Sequence, residues 1–207
     1  MKSERHAVRF GAVDARDVTR QYERVTTAPV LPSRDSVGAQ RAWRLISESW
    51  AVTTDRALAQ PESVLHEHVS GEWSFVQTLR HLVYATDSWV CRAVLGLPKP
   101  YQRLGLPPDP DPGEVPTDVL PWGIDVEADP SVAEVLVVRR DPLSVVQQVI
   151  DGLTPHEYTR VCAPHPEPGF PPVTTFPVSL AIDVVLGEEW AHHGFAVRDL
   201  DMLTMRA

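Results

Sequence analysis

The chain has 207 residues, of which 43% are hydrophobic and 23% are charged, and both shares are those of an ordinary globular protein. There are 28 acidic and 19 basic residues, so the formal net charge is −9, and no block of lysine and arginine is present. This balance argues against a protein that binds the backbone of DNA or RNA. The sequence shows neither an apolar run of about 18 residues nor an apolar leader, so we expect a cytoplasmic protein without a membrane segment.

The 20 prolines divide the chain into four segments that can form long helices. Most of them fall in residues 97–130 and 163–177, and a proline inside a helix removes a backbone hydrogen bond and clashes with the preceding turn. We expect residues 1–34 to form an N-terminal extension and residues 35–207 to form one domain. Long helices are predicted at about 36–59, 74–95, 131–152 and 177–201.

The first two predicted helices each have a start signal and one apolar face. Either Asp35 or Ser36 can cap the first helix, and Ser74 with Gln77 matches a capping box at the start of the second. The apolar positions follow helical spacing. They are Ala39, Trp43, Ile46, Trp50, Thr53 and Ala57 in the first helix, and Phe75, Leu79, Leu82, Thr86, Trp89 and Ala93 in the second.

The third and fourth predicted helices carry equally local signals. Ser131 and Glu134 match a second capping box, while Pro142 inside the third helix is expected to kink or split it. Pro177 suits the first turn of the fourth helix, where its missing N–H is not needed. Four helices of this length predict an all-α four-helix bundle, with the Pro-rich segment 97–130 as a crossover or as a cover over one end.

The fourth helix contains two Glu–His pairs at four-residue spacing, Glu188 with His192 and Glu189 with His193. This spacing places both groups of a pair on one helix face, where a metal ion can lie between them. The row through Glu189 and His193 is otherwise apolar, whereas the row through Glu188 and His192 is more polar and ends at Asp199. The pattern therefore favours Glu189 and His193 as the inward pair.

His81, midway along the second helix, is the natural third ligand because small side chains flank it. A set of three protein ligands, His81, Glu189 and His193, with one open position is typical of a catalytic zinc site rather than a structural one. The alternative is that Glu189 and His193 form a surface ion pair and His81 is an ordinary core histidine.

Three segments of the chain resemble the DinB-like superfamily of metal-binding four-helix bundles. The segments are Gly71-Glu72-Trp73-Ser74, Thr78-Leu79-Arg80-His81-Leu82 and Glu188-Glu189-Trp190-Ala191-His192-His193. The resemblance covers about residues 36–201. It implies a divalent metal held by a histidine on the second helix and by two residues, four apart, on the fourth.

Within that superfamily, the sequence is similar to the branch of mycothiol-dependent maleylpyruvate isomerases, whose ligand set is His, Glu, His. His81, Glu189 and His193 match that set position by position. The C-terminal second domain of that isomerase has no counterpart in these residues. Two histidines and one glutamate suit Zn²⁺, and Ni²⁺ or Fe²⁺ are alternatives for imidazole and carboxylate ligands.

Three functions are compatible with such a site. In the first, the metal deprotonates a low-molecular-weight thiol in a mycothiol- or bacillithiol-type S-transferase or isomerase, with Tyr84 and Asp87 as candidates to orient the ligands. Trp122, in the Pro-rich segment, can then close over the site. The second is a hydrolase that uses metal-bound water, with Glu188 or His192 as the base. The third is a non-catalytic bundle that binds a metal or a partner, such as a second copy of the chain. A small-molecule substrate is expected for either enzyme.

Overall fold

The computed structural model describes residues 35–108, 122–167, 169–171 and 175–206, and it confirms the all-α architecture predicted from the sequence. The predicted N-terminal extension, residues 1–34, lies outside the described residues. A π-helical segment, Asp87–Val94, directly follows the helix that ends at Thr86. The α-helices of the described part are α1 Ser36–Leu58, α2 Glu62–Leu65, α3 Phe75–Thr86, α4 Val132–Asp151, α5 Pro155–Thr159 and α6 Val178–Thr204.

Three of the four long helices begin with the caps that the sequence predicts. The Asp35 carboxylate accepts the N–H of Gly38 at 2.7 Å and caps α1. At the start of α3, Ser74 Oγ accepts the Gln77 N–H at 3.3 Å while Gln77 Oε1 accepts the Ser74 N–H at 3.0 Å. The second predicted capping box opens α4 in the same way. These bonds satisfy N–H groups that a first helical turn leaves without partners, and each cap stabilises the fold by about 1 kcal/mol.

Of the two outcomes expected at Pro142, a kink or a split of the third long helix, the structure excludes the split. The helix α4 continues from Val132 to Asp151, and Pro142 is itself buried within it. A proline removes only one backbone hydrogen bond of a helix. Tertiary packing of the neighbouring buried residues, which include Val135, Val146 and Ile150, therefore suffices to keep α4 in one piece.

The four long helices form a bundle in which α1 and α3 occupy opposite corners. Each of these two helices packs against both α4 and α6. The predicted apolar face of α1 is buried along its whole length, and so are Phe75, Leu79 and Leu82 of α3. Burial of an aliphatic or aromatic side chain contributes about 1.5–3 kcal/mol, so these faces hold the bundle together.

The helix α6 is buried on more than one face because it contacts α1, α3, the π-helical segment and α5. Every residue from Ala181 to Glu189 is buried. A helix with buried side chains on opposite faces has no single apolar stripe that marks its inward side. None of the helices in the described part of the chain combines the length and the apolarity that a membrane crossing requires.

A small aromatic cluster joins the Pro-rich connection to the end of α3. Trp122 stacks on Tyr101 with ring centroids 4.8 Å apart, and Tyr101 stacks in turn on the buried Tyr84 at 6.0 Å. Beside them, the buried carboxylate of Asp87 accepts the backbone N–H of Gln102 at 2.7 Å. Burial raises the pKa of Asp87 to about 7, although the bond from Gln102 opposes the shift.

Candidate metal centre

Three side chains from two helices meet in one buried cluster, which consists of His81 from α3 and Glu188 and His192 from α6. Each offers one ligand atom, and these atoms lie within 4.8 Å of one another. His81 Nε2 is 3.2 Å from Glu188 Oε2, and His192 Nδ1 is 3.3 Å from the same oxygen. Within the described ranges of the chain, no other group of His, Cys, Asp and Glu converges in this way.

Backbone carbonyl groups orient both imidazole rings of the cluster. His81 Nδ1 is 3.1 Å from the carbonyl oxygen of Leu106, and His192 Nδ1 is 2.9 Å from the carbonyl oxygen of Glu188. Because a carbonyl oxygen can only accept, each Nδ1 donates its hydrogen, which leaves Nε2 as the ring nitrogen available to a metal. Histidines that bind metals are commonly oriented by such a bond from the second ring nitrogen.

The charges of the cluster are those that a divalent cation requires. Burial, together with the nearby His81, lowers the pKa of His192 to about 4, so the His192 ring is neutral at pH 7. His81 Nε2 faces Glu188 Oε2 at 3.2 Å, and a divalent cation bound by both atoms would satisfy them. Two imidazole nitrogens and one carboxylate oxygen form a donor set that Zn²⁺ accepts. The residues of the cluster therefore fit a divalent metal ion.

The structure does not bring Glu189 and His193 to His81, although the sequence favoured that pair. Glu189 Oε2 is 2.6 Å from Arg139 Nη2 on α4. His193 Nε2 is 2.9 Å from Thr53 Oγ1 on α1. Successive residues of a helix are separated by about 100° around its axis. Because Glu188 and His192 face α3, Glu189 and His193 point toward the other two long helices, α1 and α4.

The preference for Glu189 and His193 assumed that only the more apolar row of α6 faces inward. The glutamates of both rows are in fact buried, because α6 has packing partners on opposite sides. We call the row Glu188, His192, Phe195 and Asp199 the site row, and the row Glu189, His193, Ala196 and Leu200 the scaffold row. The polar residues that argued against the site row include Glu188 and His192, which are members of the cluster.

Arg80, which the sequence analysis did not single out, anchors the Pro-rich connection next to His81. Leu106 donates its N–H to the Arg80 carbonyl at 3.1 Å, and its own carbonyl accepts from the His81 ring. Arg80 therefore holds the segment that orients His81. A sequence signal existed, since an arginine inside the apolar stretch of a buried helix needs acceptors. The buried guanidinium group of Arg80 donates to the carbonyl oxygens of Leu104, Asp125, Val126 and Ala128.

The two residues proposed from the sequence to orient the ligands lie close by, but the structure gives them other contacts. The Tyr84 ring centroid is 6.3 Å from that of His81, and burial raises the pKa of Tyr84. Asp87 accepts from the backbone of Gln102. The group bonded to His81 Nδ1 is the carbonyl of Leu106.

A pocket of about 290 Å³ opens beside the cluster and shares His192 with it. Trp73 forms one wall, and its ring centroid lies 4.8 Å from that of His81 and 6.1 Å from that of His192. Ser70 and Gly71, at φ values of 57° and 78°, make the left-handed turn that leads into this wall. The pocket is lined by Gly71, Glu72, Trp73, Thr78, His192, Phe195 and Asp199.

The fold and the cluster together define an all-α bundle with a possible metal centre between two of its helices. The family model of the DinB superfamily matches residues 45–196, so the chain belongs to the DinB superfamily. This match confirms the resemblance to the DinB-like superfamily, and the matched residues include His81, Glu188 and His192. No curated protein and no solved structure shows significant similarity to the chain.

Proposed function

We propose that this protein is a divalent-metal-dependent enzyme that activates a low-molecular-weight thiol, of the mycothiol or bacillithiol type, for reaction with an electrophile. The observation that carries the proposal is the cluster of His81, Glu188 and His192 at the wall of an open pocket. Membership of the DinB superfamily supports a metal at this place. The resemblance of the sequence to the maleylpyruvate isomerase branch supports a thiol as co-substrate. Zn²⁺ is the first candidate metal for this donor set.

Three protein ligands leave a coordination position for a small molecule that enters through the pocket. When bound, the metal lowers the pKa of a coordinating thiol, so that the nucleophilic thiolate forms near neutral pH. The carbonyl groups of Leu106 and Glu188 keep both Nε2 atoms available as ligands. Trp73 packs over the rings of His81 and His192 and shields one side of the cluster from water.

The geometry favours thiol activation over the hydrolase alternative. Hydrolysis by metal-bound water profits from a nearby general base, and the sequence offered Glu188 or His192 for that role. Both residues are members of the cluster, so as ligands they are not free to act as the base. The neighbouring Glu189 is engaged by Arg139 in a buried ion pair. A coordinated thiol needs no separate base, because metal binding itself releases the thiol proton.

The proposal is tested by thiol consumption with Zn²⁺-loaded and metal-free protein. Mycothiol, bacillithiol, cysteine and 2-mercaptoethanol are each offered with 1-chloro-2,4-dinitrobenzene. The sulfur forms a bond to the aromatic carbon, chloride leaves, and the thiol proton passes to the buffer. We expect metal-dependent consumption of at least one thiol, which is lost in His192→Ala and retained in the matched control His193→Ala.

Other outcomes would replace the proposal. A protein that binds one metal ion per chain and hydrolyses 4-nitrophenyl acetate, while consuming none of the four thiols, is a hydrolase. A protein that binds the metal and does neither is a metal-binding bundle without this activity. Failure to bind Zn²⁺, Ni²⁺ and Fe²⁺ in equilibrium dialysis experiments would exclude the metal-dependent functions of the cluster.

A further inference from the structure

Phe195 stands in the site row beside the cluster, and 45% of its surface is exposed. It follows His192 by three residues on α6, and its ring meets the His192 imidazole edge-on, with ring centroids 5.7 Å apart. A single exposed phenylalanine is ordinary on a protein surface. This one, however, lines the pocket, and charged neighbours hold its ring in place.

An ion-pair network supports the Phe195 ring. The Arg198 guanidinium group lies over the ring at 5.3 Å from its centroid, where the ring quadrupole attracts a cation. Arg198 donates in turn through Nε to Asp199 at 2.7 Å and through Nη2 to Glu72, which precedes α3. Two carboxylates therefore hold the guanidinium group, and the guanidinium group holds the ring. Phe195 is thus a preformed part of the pocket wall, which a ligand can contact without first ordering a side chain.

Trp73 supplies a second aromatic wall of the same pocket. Its ring stacks on the His192 imidazole, with 25° between the planes and centroids 6.1 Å apart. Aromatic rings attract one another in offset-stacked or edge-to-face pairs with centroids about 4.5–7 Å apart, beyond the effect of the buried area alone. A planar ring that enters the pocket can form such pairs with Phe195 and Trp73, directly beside a candidate metal ligand.

The described wall of the pocket offers no free partner to a charged ligand. Among the described residues, those that line it include Glu72 and Asp199 but neither a lysine nor an arginine. These two carboxylates and the neighbouring Arg198 already engage one another. A charged group that enters the pocket therefore loses its water without a compensating partner, whereas an uncharged ring has no such cost.

We propose that the pocket selects an electrophile with an uncharged aromatic ring and that Phe195 and Trp73 determine this specificity. For the reaction, this rests on the proposed function, in which a thiol attacks the electrophile next to His192. Binding of the ring itself requires neither the metal nor the thiol, so the two can be tested separately. The chemical class of the electrophile is what the pocket adds to the proposed function.

Three unreactive alcohols test the binding of the ring: 2-phenylethanol, 2-cyclohexylethanol and 4-(2-hydroxyethyl)benzoate. They are titrated into the full-length chain, both Zn²⁺-loaded and metal-free, and proton NMR measures the dissociation constants. We expect 2-phenylethanol to bind about fivefold more tightly than 2-cyclohexylethanol in both forms, because only the planar ring stacks. Burial alone would not favour it, since the cyclohexyl group has at least as much apolar surface. The benzoate should bind about tenfold more weakly than 2-phenylethanol, because its charge finds no partner.

Substitution of one ring at a time shows which residues carry the preference. Phe195→Leu and Trp73→Leu each keep an apolar side chain without a ring, and in each the preference for phenyl over cyclohexyl should fall below about twofold. Trp190→Leu is the matched control, because Trp190 is an aromatic residue of α6 that stacks on His193 and does not line the pocket. This control should keep the wild-type preference.

The reaction is tested with two primary bromides, 2-phenylethyl bromide and 2-cyclohexylethyl bromide, and with the thiol that the Zn²⁺-loaded protein consumes fastest. The sulfur forms a bond to the terminal carbon, bromide leaves, and the thiol proton passes to the buffer. After correction for the uncatalysed reactions, kcat/KM should be about fivefold higher for the phenyl compound. Phe195→Leu should lose this ratio through KM while it keeps the wild-type affinity for Zn²⁺.

The remaining outcomes contradict one proposal or the other. Equal affinities for the phenyl and cyclohexyl alcohols would exclude an aromatic site, and tightest binding of the benzoate would assign recognition to Arg198 instead. A phenyl preference that survives in both Phe195→Leu and Trp73→Leu would mean that other residues bind the ring. Thiol consumption without any preference between the bromides defeats the inference alone. Ring binding in the expected order by a protein that consumes no thiol defeats the proposed function alone.

Discussion

The site row and the scaffold row of α6 contain the same pair of residues, a glutamate and a histidine four positions apart. In the scaffold row, Glu189 bonds to Arg139 of α4 and His193 bonds to Thr53 of α1. In the site row, the glutamate and the histidine share one cluster with an imidazole from α3. A guanidinium group neutralises the first glutamate, whereas the second faces ring nitrogens that can share a metal ion with it. The partner helix, rather than the motif, decides whether such a pair is structural or a candidate ligand set.

The ion pair of the scaffold row lies at the centre of the bundle. Burial raises the pKa of Glu189, and the adjacent Arg139 opposes this effect. Arg139 also lies over the Trp50 ring at 5.3 Å, and Trp50 Nε1 donates to the Glu189 carbonyl at 3.1 Å. These contacts link α1, α4 and α6 at one level of the bundle, directly behind the candidate metal centre.

The largest expected effect on stability comes from Glu189→Ala. We expect the free energy of unfolding to fall by about 3–5 kcal/mol, because Arg139 stays buried without its carboxylate. Urea unfolding of metal-free protein measures this loss. The double variant Glu189→Leu with Arg139→Met should recover most of it, since neither charge then remains. Wild-type stability in Glu189→Ala would contradict the role assigned to the scaffold row.

The next largest effect is on Zn²⁺ affinity, and it distinguishes His192 from His193. His192→Ala should weaken Zn²⁺ binding by more than about 100-fold, because it removes a ligand whose lone pair is already oriented. His193→Ala should change the affinity by less than about threefold, since its ring bonds to Thr53. Competition with a chromophoric chelator measures both constants. Equal losses in the two variants would mean that the rows are assigned incorrectly.

A smaller effect is expected for Arg80→Met, which acts on the site row through the Pro-rich connection. We expect Zn²⁺ affinity to fall about 10-fold, because the segment that bonds His81 Nδ1 is no longer anchored. Nitrogen NMR of His81 should show that Nδ1 loses its fixed proton. Arg103→Met, which removes an exposed partner of Asp125, is the control and should leave both signals unchanged.

The smallest effect is expected for Thr53→Val in the scaffold row. Loss of the hydroxyl bonded to His193 should lower the free energy of unfolding by about 1 kcal/mol. Zn²⁺ affinity should be that of the wild type. A clear loss of metal affinity in this variant would show that the two rows depend on each other.

Most of the fold could be predicted from the sequence, because the signals that define it are local. Proline positions, the Asp35 cap and the two capping boxes predict the ends of the helices to within a few residues. His81 was also predictable as a member of the site, from its place on a buried helix face. These features depend on residues within one or two helical turns of each other.

The choice between the two rows could not be made from the sequence, because it depends on residues that are distant along the chain. Arg139 and Thr53 face one row and His81 faces the other, and no spacing within α6 contains that information. Arg80 was missed for a similar reason, since its acceptors lie between 24 and 48 residues away. Interpreting the polarity of a buried row as a demand for partners, rather than as a sign of exposure, would have pointed to Glu188 and His192.

The buried Asp87 takes up a proton when the chain folds. Between the ordinary carboxyl pKa of 3.8 and the value of about 7 in the fold, Asp87 is protonated when folded and ionised when unfolded. Its contribution to stability is therefore full below that window, falls as the pH rises through it, and does not change further above about pH 7. Near pH 5.5, unfolding releases this proton to the buffer. His192, whose pKa is lowered to about 4 in the fold, takes up a proton over the same pH range when the chain unfolds. The difference in calorimetric unfolding enthalpy between the wild type and Asp87→Asn should therefore vary with the ionisation enthalpy of the buffer.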